Sequence, residues 1–98
     1  MAYHLEILDD ALEDIARTFI WYEEKNKGLG VRFVDEVEAT ISYISKYPEH
    51  FQIKSKTLYR EALLKVFPYM LIYEYHSKEK SIIAYSVFPC KDNPINKP

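Results

Sequence analysis

The sequence predicts an α+β domain of two layers, in which an antiparallel helical hairpin packs on a mainly antiparallel sheet of about four strands. Apolar residues recur at helical spacing between residues 10 and 46. After residue 57 they alternate with polar residues instead, as they do in strands. Helices early in the chain and strands late in it favour the order β-α-α-β-β-β, with the hairpin covering one face of the sheet.

A short strand and a first helix are predicted at the N-terminus. Residues 3–8 alternate between two sides, which is typical of a strand. Asp9 and Asp10 follow as a candidate N-cap, and acidic side chains suit the positive end of a helix dipole. The predicted apolar stripe of this helix is Leu12, Ile15, Ala16, Phe19 and Tyr22.

A second helix is predicted from about residue 29 to residue 46. The polar residues 25–27 and Gly28 stop the first helix, and Pro48 closes the second. Because the connection is so short, the two helices are expected to be antiparallel neighbours. The stripe of the second helix is Phe33, Val37, Ile41 and Ile44.

The second half of the chain predicts a β-meander. Phe67-Pro68 and residues 76–80 are suitable connections between its strands, and residues 49–57 are a polar loop before it. The three strands are predicted at residues 58–64, 69–75 and 81–88.

The composition indicates one small globular domain. Ninety-eight residues suffice for one core, and a hydrophobic fraction of 48% excludes a disordered chain. We expect a single domain over residues 1–98, with the strand and hairpin at 1–48, the meander at 57–89 and a flexible tail at 90–98. Because the chain has no membrane-length apolar run, no secretory signal and a single cysteine, we expect a cytoplasmic protein.

The net charge of −2 is unevenly distributed. Residues 1–49 contain eleven acids and five bases, whereas residues 50–98 contain four acids and eight bases. This asymmetry is compatible with a face for nucleic acid or for an acidic partner, and equally with ordinary solvated surfaces.

Several segments carry recognisable motifs. These are LGVRFVDE at residues 29–36, Tyr47-Pro48, YREALLKVFPYMLIY at residues 59–73, and Val87-Phe88 followed by Asn93-Pro94. In this order and spacing they resemble the RelE/ParE toxin superfamily of bacterial type II toxin–antitoxin systems. The FPY signature at residues 67–69 is more similar to the ParE-like members, which include plasmid stabilisation proteins.

The resemblance implies a small growth-inhibiting toxin that a cognate antitoxin wraps and neutralises. RelE-like members cut mRNA in the ribosome without a metal, whereas ParE-like members inhibit DNA gyrase. It also implies either a homodimer or a heterotetramer with the antitoxin. We expect no cofactor and no membrane partner, and no metal, because no residues have metal-ligand spacing.

Ribonuclease chemistry would need cations, a base and an acid around one phosphate. Tyr85 or a neighbouring tyrosine is a candidate proton donor. Lys54 and Lys56 would point to the same side of an extended segment, and the resemblance places Arg60 and Lys91 at basic positions of the family. The candidate catalytic residues, for a RelE-like chain only, are Lys54, Lys56, Arg60 and Lys91.

Three features weigh against that chemistry. Lysines in a polar loop are typical of a solvated surface. Arg60 has a structural alternative as the ion-pair partner of Glu36 or Glu74. Pro89 stands where many members have a histidine, and proline cannot transfer protons.

A binding function is the alternative. Residues 19–22 are consecutive and apolar, so either Ile20 or Trp21 must leave the core side of the helix. Trp21 then either binds a partner as an exposed anchor or packs over the edge of the core. The first or the last strand could be a sheet edge that receives an antitoxin segment. The predicted partner-binding residues are Trp21, Tyr69, Tyr73 and Tyr85.

Three hypotheses therefore stand. The first is a ParE-like toxin with DNA gyrase as its target, and the second is a RelE-like, ribosome-dependent mRNA endoribonuclease. The third is a degenerate member that only binds its antitoxin. The chain is an enzyme only under the second hypothesis.

Overall fold

The computed structural model describes residues 3–54 and 58–90, so the predicted catalytic residues Lys56 and Lys91 lie outside the described part. The described chain has the predicted β-α-α-β-β-β order, and the α+β class is confirmed. The elements are β1 (His4–Ile7), α1 (Asp9–Lys25), α2 (Leu29–Lys46), β2 (Tyr59–Leu63), β3 (Tyr69–His76) and β4 (Ser81–Pro89).

The four strands form one mixed sheet in the order β1-β4-β3-β2. The β2–β3 and β3–β4 pairs are antiparallel, and β1 runs parallel to β4, with Leu5 opposite Ile82. The helical hairpin supplies the crossover that a parallel pair requires. Of the two strands predicted as a possible edge, the first is one and the last is not, because β4 lies between β1 and β3. The edges are β1 and β2.

The core lies between the hairpin and one face of the sheet. Phe33 of α2 is fully buried, and its ring centroid lies 5.7 Å from that of Tyr22, 5.5 Å from that of Phe67 and 5.3 Å from that of Tyr69. Aromatic clusters of this kind contribute packing beyond their buried area. The inward strand residues alternate, as the period of two predicts. They include Ala62, Leu71, Tyr73, Ile82 and Ala84.

The start and the buried face of α1 differ from the prediction. Asp9 and Asp10 lie in its first turn, and the N-cap is Leu8, so the predicted cap is wrong. The buried residues are Ala11, Thr18 and Tyr22, whereas Leu12 is 50% exposed and Ala16 is exposed. A polar contact accompanies this buried row, since the Val87 N–H donates to Asp14 Oδ2 at 3.0 Å and joins that side of α1 to β4.

A close approach holds the hairpin together. A Cβ on Gly30 would lie 2.5 Å from the carbonyl oxygen of Phe19, so only glycine lets α2 come this near to α1. Glu23 Oε1 accepts from the N–H groups of Gly28 at 2.9 Å and Gly30 at 2.7 Å. It also lies 3.3 Å from the N–H of Val31. The carboxylate thus satisfies N–H groups at the start of α2 that have no partner within the helix.

These hydrogen bonds predict how Glu23 titrates. The backbone N–H of Gly28 is the main reason that the pKa of Glu23 lies below its ordinary value of 4.5. Folding lowers the pKa of Glu23, so this carboxylate stabilises the protein at pH values above the pKa that Glu23 has in the unfolded chain. That stabilisation is lost as the pH falls through the pKa that Glu23 has in the folded protein. An NMR titration of the side-chain carbonyl should show this depression. A Glu23 midpoint at 4.5 or higher would contradict it.

Two buried tyrosines predict weakening at high pH. Burial raises the pKa of Tyr22 and of Tyr73 to about 12, from the ordinary value of 10. Because the folded state holds these protons more tightly than the unfolded chain does, the resulting stability is complete below pH 10 and is lost between pH 10 and 12. Over this range each tyrosine should lower the free energy of unfolding by less than about 1.4 kcal/mol per pH unit, since solvent screens part of the effect.

Urea unfolding across this pH range measures that slope. The slope should be smaller in Tyr22→Phe than in the wild type, because phenylalanine has no proton to lose. Equal slopes in the two proteins would contradict the prediction.

Candidate functional site

The sheet face opposite the hairpin is the candidate site, and no described element packs on it. We call it the open sheet face. Pleating places on it the side chains that alternate with the core residues. They are His4, Glu6, Tyr59, Glu61, Leu63, Met70, Ile72, Glu74, His76, Ser81, Ile83, Tyr85, Ser86 and Phe88.

A hydrogen-bonded cluster lies on this face near the end where β3 leads into β4. Glu74 Oε1 accepts from the Tyr85 hydroxyl at 3.1 Å and lies 2.9 Å from His76 Nε2. The Glu74 side chain is only 12% exposed. The rings of Tyr59 and Tyr85 meet edge to face, with centroids 5.2 Å apart. A carboxylate therefore lies beside two aromatic rings on a face that no described element covers.

A β-bulge aims Tyr85 at this cluster. Ile72 pairs with Ser86 but Tyr73 pairs with Ala84, so Tyr85 is an extra residue in β4. Bulges of this kind redirect side chains. Burial, followed by the hydrogen bond to Glu74, raises the pKa of Tyr85. Its hydroxyl is thus a weaker acid than an ordinary tyrosine, which makes it less suited to the predicted role of proton donor.

The charge of the open sheet face is negative. Among the described strand residues it carries three carboxylates, Glu6, Glu61 and Glu74, and no lysine or arginine. Lys54 lies beside the β2 edge, where its Nζ is 3.3 Å from Glu61 Oε1. Phosphate recognition needs a surplus of positive charge, and the described part of this face has the opposite sign.

Arg60 is on the other side of the sheet. Its side chain points inward and the residue is 9% exposed, with Nη1 donating to the carbonyl oxygens of Phe51 and, at 3.4 Å, of Glu49. The Tyr73 hydroxyl donates to the carbonyl oxygen of Pro48 at 2.9 Å. Together these side chains fix the chain that leaves α2. The predicted ion pair of Arg60 with Glu36 or Glu74 is not formed, because backbone carbonyls take its place.

Glu36 instead binds the connection between β2 and β3. Its Oε2 accepts from the N–H groups of Lys65 at 2.6 Å and Val66 at 2.9 Å, and its Oε1 accepts from that of Phe67 at 3.2 Å. Three successive N–H groups around one carboxylate form a concave anion site, here filled from within the chain. The last residue of the LGVRFVDE motif therefore holds the start of the FPY segment in place.

The predicted partner-binding residues are not equally accessible. Tyr69 and Tyr73 are core residues, 1% and 0% exposed. Trp21 is half-buried against Tyr22, and Ile20 is the residue of that run that faces outward, at 55% exposure. An interface anchor has to be accessible. The structure leaves Tyr85 on the open sheet face and Trp21 on the helical layer.

The predicted catalytic residues are not assembled in the described part of the chain. Lys54 lies beside the open sheet face and Arg60 is buried beneath it, while Lys56 and Lys91 are outside the described residues. Within residues 3–54 and 58–90 no three His, Cys, Asp or Glu side chains are grouped as a metal site. No helix in those ranges is long and apolar enough to cross a membrane.

A family comparison decides the relationship. The model of the family described as "ParE toxin of type II toxin-antitoxin system, parDE" matches residues 5–94, which is nearly the whole chain. The chain belongs to the ParE toxin family. Its membership in the RelE/ParE superfamily, predicted from the motifs, is thereby confirmed. No curated protein sequence matches this ParE-family chain.

Solved toxin structures share the fold of this ParE-family chain. A chain of the chromosomal ParDE system of P. aeruginosa superposes with a TM-score of 0.79 at 11% identity, over 92% of this chain and 98% of that one. The isolated E. coli RelE toxin gives 0.66 at 16% identity, over 97% and 92%. The RelBE2 toxin–antitoxin complex of Mycobacterium tuberculosis gives 0.63 at 14% identity, over 91% and 99%. Identities this low show a common fold only.

Sequence reasoning missed the cluster of Glu74, His76 and Tyr85 in this ParE-family chain. Glu74 lies in the predicted strand 69–75, but His76 was predicted to begin the connection after it. In the structure β3 extends to His76, and the spacing of two puts both side chains on one face. Tyr85 could not be added to them, because its position depends on the bulge and on the register of β3 with β4.

Proposed function

We propose that this chain is a toxin that acts in the ParE manner, through protein contacts with DNA gyrase, and that a cognate antitoxin neutralises it. One observation carries the choice of gyrase over mRNA: the described strand residues of the open sheet face bear three carboxylates and no lysine or arginine. RNA cleavage without a metal depends on cations that stabilise the phosphorane. A negative face repels a phosphate chain, whereas it suits a protein surface.

The placement of the basic candidates supports the same choice. Arg60 donates to two backbone carbonyls and is buried, so its guanidinium has a structural role. Lys54 is close to Glu61. The antitoxin part of the proposal is supported by the family, and by similar structures that are toxin–antitoxin complexes, such as RelBE2.

A supercoiling assay tests the proposal. Purified gyrase, ATP and relaxed plasmid are combined with increasing toxin, with and without the product of the adjacent reading frame. Supercoiling should fall with toxin concentration and return when the antitoxin candidate is added. Lys54→Gln should inhibit as well as Lys46→Gln, an exposed control at the end of α2, since neither lysine is needed.

A parallel assay in a translation extract decides between the hypotheses. Codon-specific mRNA cleavage that Lys54→Gln weakens and Lys46→Gln does not would establish the RelE-like alternative. A chain that inhibits neither system, and that binds its antitoxin without arresting growth, would be the degenerate member.

A further inference from the structure

We propose that the open sheet face is the surface by which this toxin holds its target protein, and that it takes a segment in which arginine or lysine side chains are next to apolar ones. The inference rests on the proposed function and adds a place and a partner chemistry to it. The structure supports it by dividing the face into an apolar end and an acidic end.

The apolar end is one row across three strands. Leu63 pairs with Met70, and Met70 pairs with Phe88. Leu63 is 59% exposed and Phe88 is 52% exposed, so two large apolar side chains of this row face solvent. Because these three residues are direct neighbours, they form a continuous surface that a partner's apolar side chains can cover.

The acidic end is a second row along the same face. Glu6 pairs with Ile83, Ile83 with Glu74, and Glu74 with Tyr59. The two carboxylates thus lie on either side of one isoleucine. The Tyr85 hydroxyl donates to Glu74, and the Tyr85 ring meets that of Tyr59 edge to face, so this tyrosine belongs to the same end.

This arrangement is complementary to a cation on a flexible stem. Glu74 offers a carboxylate that is held in place by Tyr85 and His76, and the rings of Tyr59 and Tyr85 stand next to it. Guanidinium and ammonium groups bind carboxylates and aromatic faces. When an arginine or lysine of the partner segment lies on the acidic row, the apolar residues next to it in that segment can reach the apolar row. Charge complementarity therefore selects a basic protein segment over RNA.

Matched variants in the supercoiling assay test the inference. Glu6→Lys reverses an exposed charge on the open sheet face, and Glu38→Lys reverses an exposed charge on α2. Glu6→Lys should raise the half-inhibitory toxin concentration about fivefold or more, whereas Glu38→Lys should leave it within about twofold. Phe88→Ala should raise it about tenfold, and the equally exposed Val31→Ala on α2 should not. Circular dichroism and urea midpoints confirm that each variant is folded.

The outcomes separate the two proposals. If the wild type inhibits gyrase and the open-face variants inhibit like their controls, the inference is wrong and the proposed function stands. If the wild type does not inhibit, the proposed function fails, and with it the assignment of this face to gyrase.

Binding of a probe gives a measurement that does not need gyrase. A synthetic peptide of alternating arginine and leucine should shift amide resonances of β3 and β4 at Glu74, Tyr85 and Phe88, and Glu6→Lys should weaken that binding. Shifts confined to α1 and α2 would overturn the inference. Shifts of the same β3 and β4 resonances on addition of a single-stranded RNA would also overturn it. So would sedimentation data showing that the chain self-associates through this face.

Discussion

Replacing Glu36 by alanine should lower the free energy of unfolding by about 3 kcal/mol, because three backbone N–H groups lose one shared acceptor. Each N–H left without a partner costs roughly 1 kcal/mol at a site that water partly reaches. The Lys65 and Val66 groups lie near the surface and that of Phe67 is part-buried, so the Phe67 group should contribute most.

Equilibrium urea unfolding measures this loss, and the chain offers its own control. Glu38→Ala removes an exposed glutamate from the same helix and should change stability by less than about 0.5 kcal/mol. Glu36→Gln keeps one carbonyl acceptor and should fall between the two. A Glu36→Ala protein as stable as Glu38→Ala would show that water replaces the carboxylate without cost.

The same contact explains why the acidic half of the chain need not be a partner surface. Asp14, Glu23 and Glu36 each accept hydrogen bonds from backbone N–H groups outside their own helix. Their charges join α1 to β4, α1 to the start of α2, and α2 to the β2–β3 connection. Part of the charge asymmetry seen in the sequence is therefore structural. The acidic residues with a binding role in our proposal are Glu6 and Glu74.

Local patterns predicted the elements well. The bounds of α2 agree with the prediction at both ends, since Gly28 and Pro48 flank a regular apolar row. The buried residues of that row, Phe33, Val37 and Ile44, were also predicted. These features depend on residues that are near one another in the chain, which is the range over which periodicity and capping act.

The features that shape the site depend on distant residues. The parallel pairing of β1 with β4 joins residues more than seventy positions apart, as Leu5 with Ile82 shows. The side of α1 that is buried differs from the one that apolar content alone predicts, and it is joined to β4 by the distant contact of Asp14 with Val87. The bulge at Tyr85 follows from the register of two strands. No local pattern contains this information, so the open sheet face could not be described from the sequence.

Arg60→Ala should destabilise the protein by about 3–5 kcal/mol, because a large buried side chain and its charge-assisted hydrogen bonds are lost together. The carbonyl oxygens of Glu49 and Phe51 would lose their donor. The segment that leaves α2 would keep the bond between Tyr73 and Pro48, the contact of Tyr43 with His50 and the bond from the Lys54 N–H to the Tyr59 carbonyl oxygen. Urea unfolding should show the loss directly, and amide hydrogen exchange should show it first in residues 48–54.

Because Arg60→Ala destabilises the fold, a loss of toxicity in this variant would not by itself show that Arg60 is catalytic. Arg60→Ala would stop growth arrest by unfolding the chain, whether or not the arginine touches a substrate. Arg60→Lys retains a buried cation that can still donate to Phe51, so it should recover part of the stability and the same part of the gyrase inhibition. A lysine variant as stable as the wild type but without inhibition would contradict the structural role, because activity would then depend on the guanidinium itself. Proportional loss of stability and inhibition across Arg60→Ala and Arg60→Lys is the expected result, since the arginine acts by holding the chain after α2 against β2.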